Sequence, residues 1–260
     1  MRLILLGTGT SYGVPQIGCR CRTCTSPDPR DHRTRTAAVI ESDGRRLLID
    51  TPPELRLQLV AAGVERVDAV LYTHAHADHV HGIDDLRALS VRQGAGLPAY
   101  GPAETMAELR QRFAYIFDRA VRPPPGTNKP EMTAHVLDPD REARIAGFAV
   151  RPIALPHGEQ SVFGYRVGRV AYLTDVKEIP SRAATLLAGL DVLVLNALLP
   201  QPHPLHLSIP EAVDAARRIG ARRTFLTHLT HDSLHAELAA RLPAGVAPGH
   251  DGLVVDVAAS

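Results

Sequence analysis

The stretch that decides the fold is "THAHADH", Thr73 to His79. It closes an apolar run, "DAVLYTH" (68–74), that reads as a buried strand. Within six residues it offers His74, His76, Asp78 and His79. Neutral imidazoles supply nitrogen ligands and aspartate a hard oxygen, so the set suits divalent transition metals. Four ligands this close overcrowd a single catalytic metal, which ordinarily keeps three protein ligands and an open position. Two metals sharing the set fit better.

Two metals need further ligands, and the same pattern of an apolar run ending in a ligand recurs downstream. His157 follows "RPIAL" and a proline, Asp175 ends "VAYLTD", and His228 ends "TFLTH". Asp50, at the end of "RRLLID", belongs to the series as a residue that holds the ligand loop by hydrogen bonds. Active-site residues in layered α/β proteins gather at the carboxyl ends of strands.

Around these points the chain alternates short apolar runs with helical patterns. Strands are expected at 2–7, at 36–42 and 45–51 (a hairpin turning at Asp43-Gly44), at 68–74 and at 97–101. Others follow at 143–155, at 163–175 with a turn near Gly168-Arg169, and at 191–197, 222–228 and 253–259. Helices are expected at 52–63, 80–94, 103–117 and 208–220. The last has clear ends: Ser208 and Glu211 stand at capping-box spacing and Gly220 closes it. The proline-rich segment 118–134 shows no periodicity and reads as a loop bordering a site. The whole reads as one α/β domain over 1–260.

With 260 residues, 45% hydrophobic and 22% charged, the composition is that of an ordinary globular protein. A formal net charge of +1 provides no basic stripe for tracking a long nucleic acid. No stretch approaches the ~20 apolar residues of a membrane span. A cytoplasmic location is expected, where thiols stay reduced. That disfavours a disulfide among Cys19, Cys21 and Cys24, which lie together in "GCRCRTC" and are the only cysteines. Three thiols leave a tetrahedral zinc site one ligand short.

The order Asp50, His74-x-His76-x-Asp78-His79, His157, Asp175, His228 resembles the five motifs of the metallo-β-lactamase superfamily across nearly the whole chain. The resemblance implies an αββα sandwich, two mixed sheets packed face to face between helices, with a dinuclear site at one sheet edge. It implies that His74, His76 and His157 hold one divalent metal and that Asp78, His79 and His228 hold the other, with Asp175 bridging. Lactamases usually carry a cysteine at the position of Asp175; an aspartate there resembles the phosphodiesterase and nuclease branches. The metals would be zinc or manganese, and Asp78 is expected to take part in catalysis.

"LGTGTSYGVPQIGCRCRTC" narrows the branch. It resembles the PhnP-type phosphodiesterases of the carbon–phosphorus lyase pathway, which act on 5-phosphoribosyl 1,2-cyclic phosphate. The resemblance implies that the three cysteines bind a structural zinc with a histidine three residues after the last active-site histidine; here that is His231. It also implies a histidine beside the leaving group, for which "PQPHPLHLS" offers His203 and His206, with His206 preferred as general acid or phosphate binder. The expected substrate is a small, cyclic or activated phosphodiester. Ribonuclease, thioester or lactone hydrolase activity, or a role like that of the B-type coenzyme PQQ synthesis proteins, remain alternatives. A homodimer is expected by analogy with hydrolases of this fold.

Overall fold

The computed structural model describes residues 1–258. The first half of the chain supplies six strands of one seven-stranded sheet, completed by the last strand of the chain, and the second half builds another seven-stranded sheet. The first sheet begins with β1 (Arg2–Gly7), β2 (Ala37–Ser42) and β3 (Arg45–Ile49) as an antiparallel meander. Helix α1 (Leu55–Ala61), β4 (Ala69–Leu71), α2 (Ala77–Val80), α3 (Arg87–Gln93), β5 (Leu97–Gly101), α4 (Ala103–Arg112), α5 (Ala114–Phe117) and β6 (Met132–Val136) follow. Strands β3 to β6 run parallel.

The second sheet opens with β7 (Ala143–Ile145), β8 (Phe148–His157) and β9 (Gln160–Val167), again antiparallel. It continues with β10 (Val170–Leu173), α6 (Ser181–Leu186), β11 (Val192–Asn196), α7 (Ile209–Ile219), β12 (Arg223–Thr227), α8 (His235–Arg241) and β13 (Val246–Pro248), with β10 to β13 parallel. Finally β14 (Val254–Asp256) returns to pair with β1. The two sheets with their outer helices are the expected αββα sandwich.

Alternation with period two explains the layering. Leu3, Leu5, Ile40, Leu47 and Ile49 face the second sheet and meet Val150, Tyr165, Tyr172, Val192 and Val194. The intervening Ile4, Leu6, Val39 and Leu48 face outward and pack under Leu55, Leu59, Ile83, Leu86 and Leu109 of the helical layer. On the far side Leu173, Leu193 and Leu195 pack beneath Ile209, Ala212, Ile219 and Leu238. Each such side chain removed from water stabilises the sandwich by about 1.5–3 kcal/mol. The sheets are therefore rigid frames, and their strand ends hold side chains in place.

Several expected elements change shape on folding. The 80–94 helix is broken: a single turn at α2 gives way to a 3-10 turn at Ile83–Leu86 before α3 begins. Gly82 causes the break. A Cβ there would lie 2.0 Å from the Pro52 carbonyl oxygen, and its N–H goes to Thr51 O at 2.8 Å instead of to a helical carbonyl. The 52–63 helix is shorter, running as α1 between a turn in which Leu55 N–H donates to Pro52 O and a turn closed at Gly63. The 103–117 helix is interrupted at Phe113 (φ −120°, ψ 42°), whose ring stands edge-on to His81. Strand 143–155 is a hairpin turning at Ala146-Gly147. The last residues of segment 118–134 form β6, an edge strand with too little apolar alternation to show beforehand. Helices α6 and α8 and strand β13 are additions to the sequence reading. Each is short, and α6 and α8 have no side-chain cap to announce them. The 253–259 strand covers only Val254–Asp256, and Ala259 lies outside the described residues. Helix α7 matches its expected ends, with both capping-box bonds formed and Gly220 at φ 70°.

Candidate metal centre

Strands β3, β4, β8, β10 and β12 all point their carboxyl ends at one edge of the sandwich, and each releases a polar residue there. Asp50, Asp175 and His228 do so in the left-handed backbone region (φ 62°, 57° and 60°). Such conformations cost energy for residues with a side chain and persist where the surroundings enforce them. Here they turn each side chain off its strand into the space between the sheets.

Two ligand groups result, with donor atoms inside each group within 4.8 Å of one another: His74, His76 and His157, and Asp78, His79 and His228. Asp175 stands between them. Its Oδ2 lies 3.2 Å from His79 Nε2 and its Oδ1 3.2 Å from His228 Nε2, and it also groups with His74.

Asp50 is fully buried and orients the ring atoms. One oxygen accepts from the Thr73 amide at 2.8 Å. The other accepts from the Thr73 hydroxyl at 2.7 Å and from His79 Nδ1 at 2.8 Å. The Thr73 hydroxyl, having donated its proton, accepts from His74 Nδ1 at 3.0 Å. Both histidines therefore carry hydrogen on Nδ1 and turn Nε2 into the site.

The electrostatics favour a cation. Burial opposes protonation of His74, and the neighbouring His79 reinforces it, so the ring is neutral. Burial opposes charge on His79 too, but the carboxylates of Asp175 and Asp50 prevail and hold its pKa well above the usual range. Burial likewise opposes ionisation of Asp175, yet His228 and His79 keep it ionised. Asp78 is also held low, with burial overcome by its hydrogen bond to His79. Carboxylates that draw a proton onto a buried imidazole are carboxylates short of positive charge. Among the described residues His79 Nε2 and both ring nitrogens of His228 are buried without a hydrogen-bond partner, and His74 Nε2 lies 3.0 Å from His76 Nδ1. Ring nitrogens crowded together without hydrogen-bond partners beside two carboxylates fit divalent metals and are costly without them.

His206 comes inside this ring. Its imidazole stacks on His228 (centroids 4.9 Å apart, 20° between planes) and stands 5.0 Å from His157. Nδ1 lies 3.7 Å from Asp175 Oδ1. Burial first, then the neighbouring His228, pushes its pKa down to about 3, so the ring is neutral at physiological pH. His203 is further out, 5.2 Å from the His206 ring and partly exposed. Three supports had no signal in the sequence. Asn196 Oδ1 accepts from the Val176 amide next to Asp175, Arg112 Nη1 donates to Ala75 O in the ligand loop, and Leu205 O accepts from His157 Nδ1.

A second cluster lies at the N-terminal loop. The Sγ atoms of Cys19, Cys21 and Cys24 are 3.3, 3.7 and 3.4 Å from His231 Nδ1. Three thiols and an imidazole gather around one point with no carboxylate in the group, a donor set that suits a tetrahedral zinc. Buried Arg33 clamps the same turn, donating to Thr230 O and Ser233 O at 3.1 and 3.0 Å.

Residues 45–229 match the family model described as a beta-lactamase superfamily domain. The chain belongs to the beta-lactamase superfamily. Within it, the chain is similar to a crystal structure described as a new diphosphatase from the PhnP family, with TM-score 0.90 and 39% identity over 99% of this chain and 98% of the other. It is also 40% identical, over 97% of its length and 51% of the relative's, to a Porphyromonas gingivalis protein named octanoyltransferase. A coenzyme PQQ synthesis protein B of Rhodopseudomonas palustris is 32% identical over 50% of this chain and 46% of its own. The chain thus spans about half the length of the curated relatives it matches. No helix among the described residues is long and apolar enough to cross a membrane.

Proposed function

We propose that the chain is a metal-dependent hydrolase that cleaves small phosphodiesters, cyclic ones and diphosphate linkages included. The observation that carries the reading is the pair of ligand groups bridged by Asp175, which contacts a histidine of the second group with each of its two oxygens. His74, His76 and His157 would hold one divalent cation and Asp78, His79 and His228 the other. The cations supply Lewis acidity, lower the pKa of water and neutralise phosphate oxygens.

The chain's own residues do the rest. Asp50 fixes the ring orientations of His74 and His79. Asp78 borders the substrate side of its group and handles the proton of the attacking water. His206, neutral and wedged between His157 and His228, donates a hydrogen bond to a substrate oxygen on the leaving side rather than carrying an extra proton there. The Cys19, Cys21, Cys24 and His231 cluster holds a structural zinc that ties the N-terminal loop to the turn before α8.

The PhnP-family neighbour described as a diphosphatase supports attack at phosphorus. The relative named octanoyltransferase brings an acyl thioester into consideration, although that name belongs to a protein twice as long. The test is a substrate panel on fully metallated protein: bis(p-nitrophenyl) phosphate, a cyclic phosphodiester, a diphosphate diester, RNA, an acyl thioester and a lactone. Turnover of the phosphorus substrates supports the proposal. Inertness towards all of them with thioester turnover overturns it.

A further inference from the structure

One residue in the segment between β11 and α7, Leu205, touches two histidines at once through its backbone. Leu205 C=O lies 3.2 Å from His157 Nδ1. A carbonyl can only accept, so His157 carries its hydrogen on Nδ1 and leaves Nε2 bare. The Leu205 N–H donates to His203 Nδ1 at 3.2 Å. A backbone N–H can only donate, so His203 keeps its hydrogen on Nε2. The two rings are held in opposite tautomers by the two ends of one residue.

The side chain of Leu205 adds a third contact. Gly158, directly after His157, has φ +61°, and a Cβ there would lie 3.0 Å from Leu205 Cδ2. The leucine, exposed on its other side, lies against Gly158, where any larger residue would crowd it. The base of the loop is anchored separately, by Leu198 N–H to Leu207 O and Leu207 N–H to Val176 O, both 2.9 Å. Leu205 is therefore the distal attachment of a loop already fixed at its root.

We propose that Leu205 is a positioning residue: seated on Gly158, it aims His157 Nε2 at the candidate metal position and presents His203 Nε2–H as a hydrogen-bond donor at the mouth. It follows that metal held through His157 and the seating of the loop that carries His203 and His206 support each other, because linkage between two sites is reciprocal. The aim of Nε2 at a metal rests on the function proposed above; the tautomers do not.

Imidazole 1H–15N spectra of wild-type protein, zinc-free and zinc-loaded, test the tautomers. The expected result is Nδ1–H on His157 and Nε2–H on His203 in both states. In Leu205→Gly and Gly158→Ala, His157 should become a tautomer mixture. Zinc affinity, measured against a chromophoric chelator, should fall by about 10- to 100-fold at one site, the usual effect of losing such an outer partner. Zinc retained by the Cys19, Cys21, Cys24 and His231 cluster reports that each variant is folded. An Nε2-protonated or mixed His157 in wild type overturns the inference. So does wild-type tautomer and affinity in both variants. Wild-type protein with the expected tautomers that binds zinc only at the cysteine cluster overturns the hydrolase reading and leaves the tautomer assignment standing.

Discussion

The two clusters of metal-competent side chains in this molecule are built on opposite plans. The histidine–aspartate centre draws on five separate strand ends, mixes nitrogen with oxygen, and sets ring nitrogens against carboxylates. The cysteine cluster takes three ligands from six consecutive residues and one from a distant turn, and encloses a single point. The first has more donors than one cation can use; the second has four, the number a tetrahedral ion takes. On the function proposed above, the difference would separate a site that exchanges what it holds from one that keeps it. The two clusters are nonetheless neighbours in sequence, since His228 and His231 stand three residues apart.

The largest effect should come from the residue that joins the two ligand groups. Asp175→Asn keeps the size of the side chain and tolerates the left-handed backbone. It should lower hydrolysis by about a thousandfold or more, since removing a shared charge from such a centre costs several kcal/mol of transition-state stabilisation. Steady-state kinetics alongside unchanged circular dichroism would show it. Near-normal turnover would remove Asp175 from the centre.

Cys21→Ser tests the other side of the comparison. One zinc per chain should be lost by elemental analysis and the melting temperature should drop by on the order of 10 °C. The remaining metals should stay bound, since their ligands come from other segments. Simultaneous loss of every metal would show that the two clusters form one unit.

Asp50→Asn probes support rather than ligation. An amide nitrogen turned towards His79 Nδ1 sets donor against donor and drives the ring to the other tautomer. Metal affinity and activity should fall by about 10- to 100-fold, as for other outer-sphere partners. A milder change in titration calorimetry would mean that packing alone holds His79.

The smallest effect is a pH dependence confined to the cysteine cluster. Burial pushes the Cys24 thiol from its ordinary value of 9.0 up to about 11. A raised thiol favours its neutral form in the folded state. That contribution is complete below pH 9 and is lost as pH rises through about 11. Metal-free protein should therefore lose thermal stability across that window. Zinc-loaded protein, its thiolates already formed, should not. Parallel melting curves with and without a chelator would reveal a shared slope if the cluster holds no metal.

The alternation of the sheets and the candidate metal-binding residues at and just beyond the ends of apolar runs are legible in the amino-acid order alone. Period-two burial and strand-end polarity are local properties, readable from neighbours in the chain. The capped ends of α7 were legible for the same reason, because Ser208, Glu211 and Gly220 act within a turn or so of where they stand. Only the tertiary structure decided the rest. It broke the 80–94 helix by pressing Gly82 against Pro52. It folded the His206 ring between His157 and His228 and left His203 further out. It gave Leu205, a residue with no polar side chain, two hydrogen bonds that set the tautomers of two histidines. These outcomes depend on the approach of backbones and rings from distant segments. A backbone carbonyl looks the same at every position of a sequence until the fold brings a partner to it.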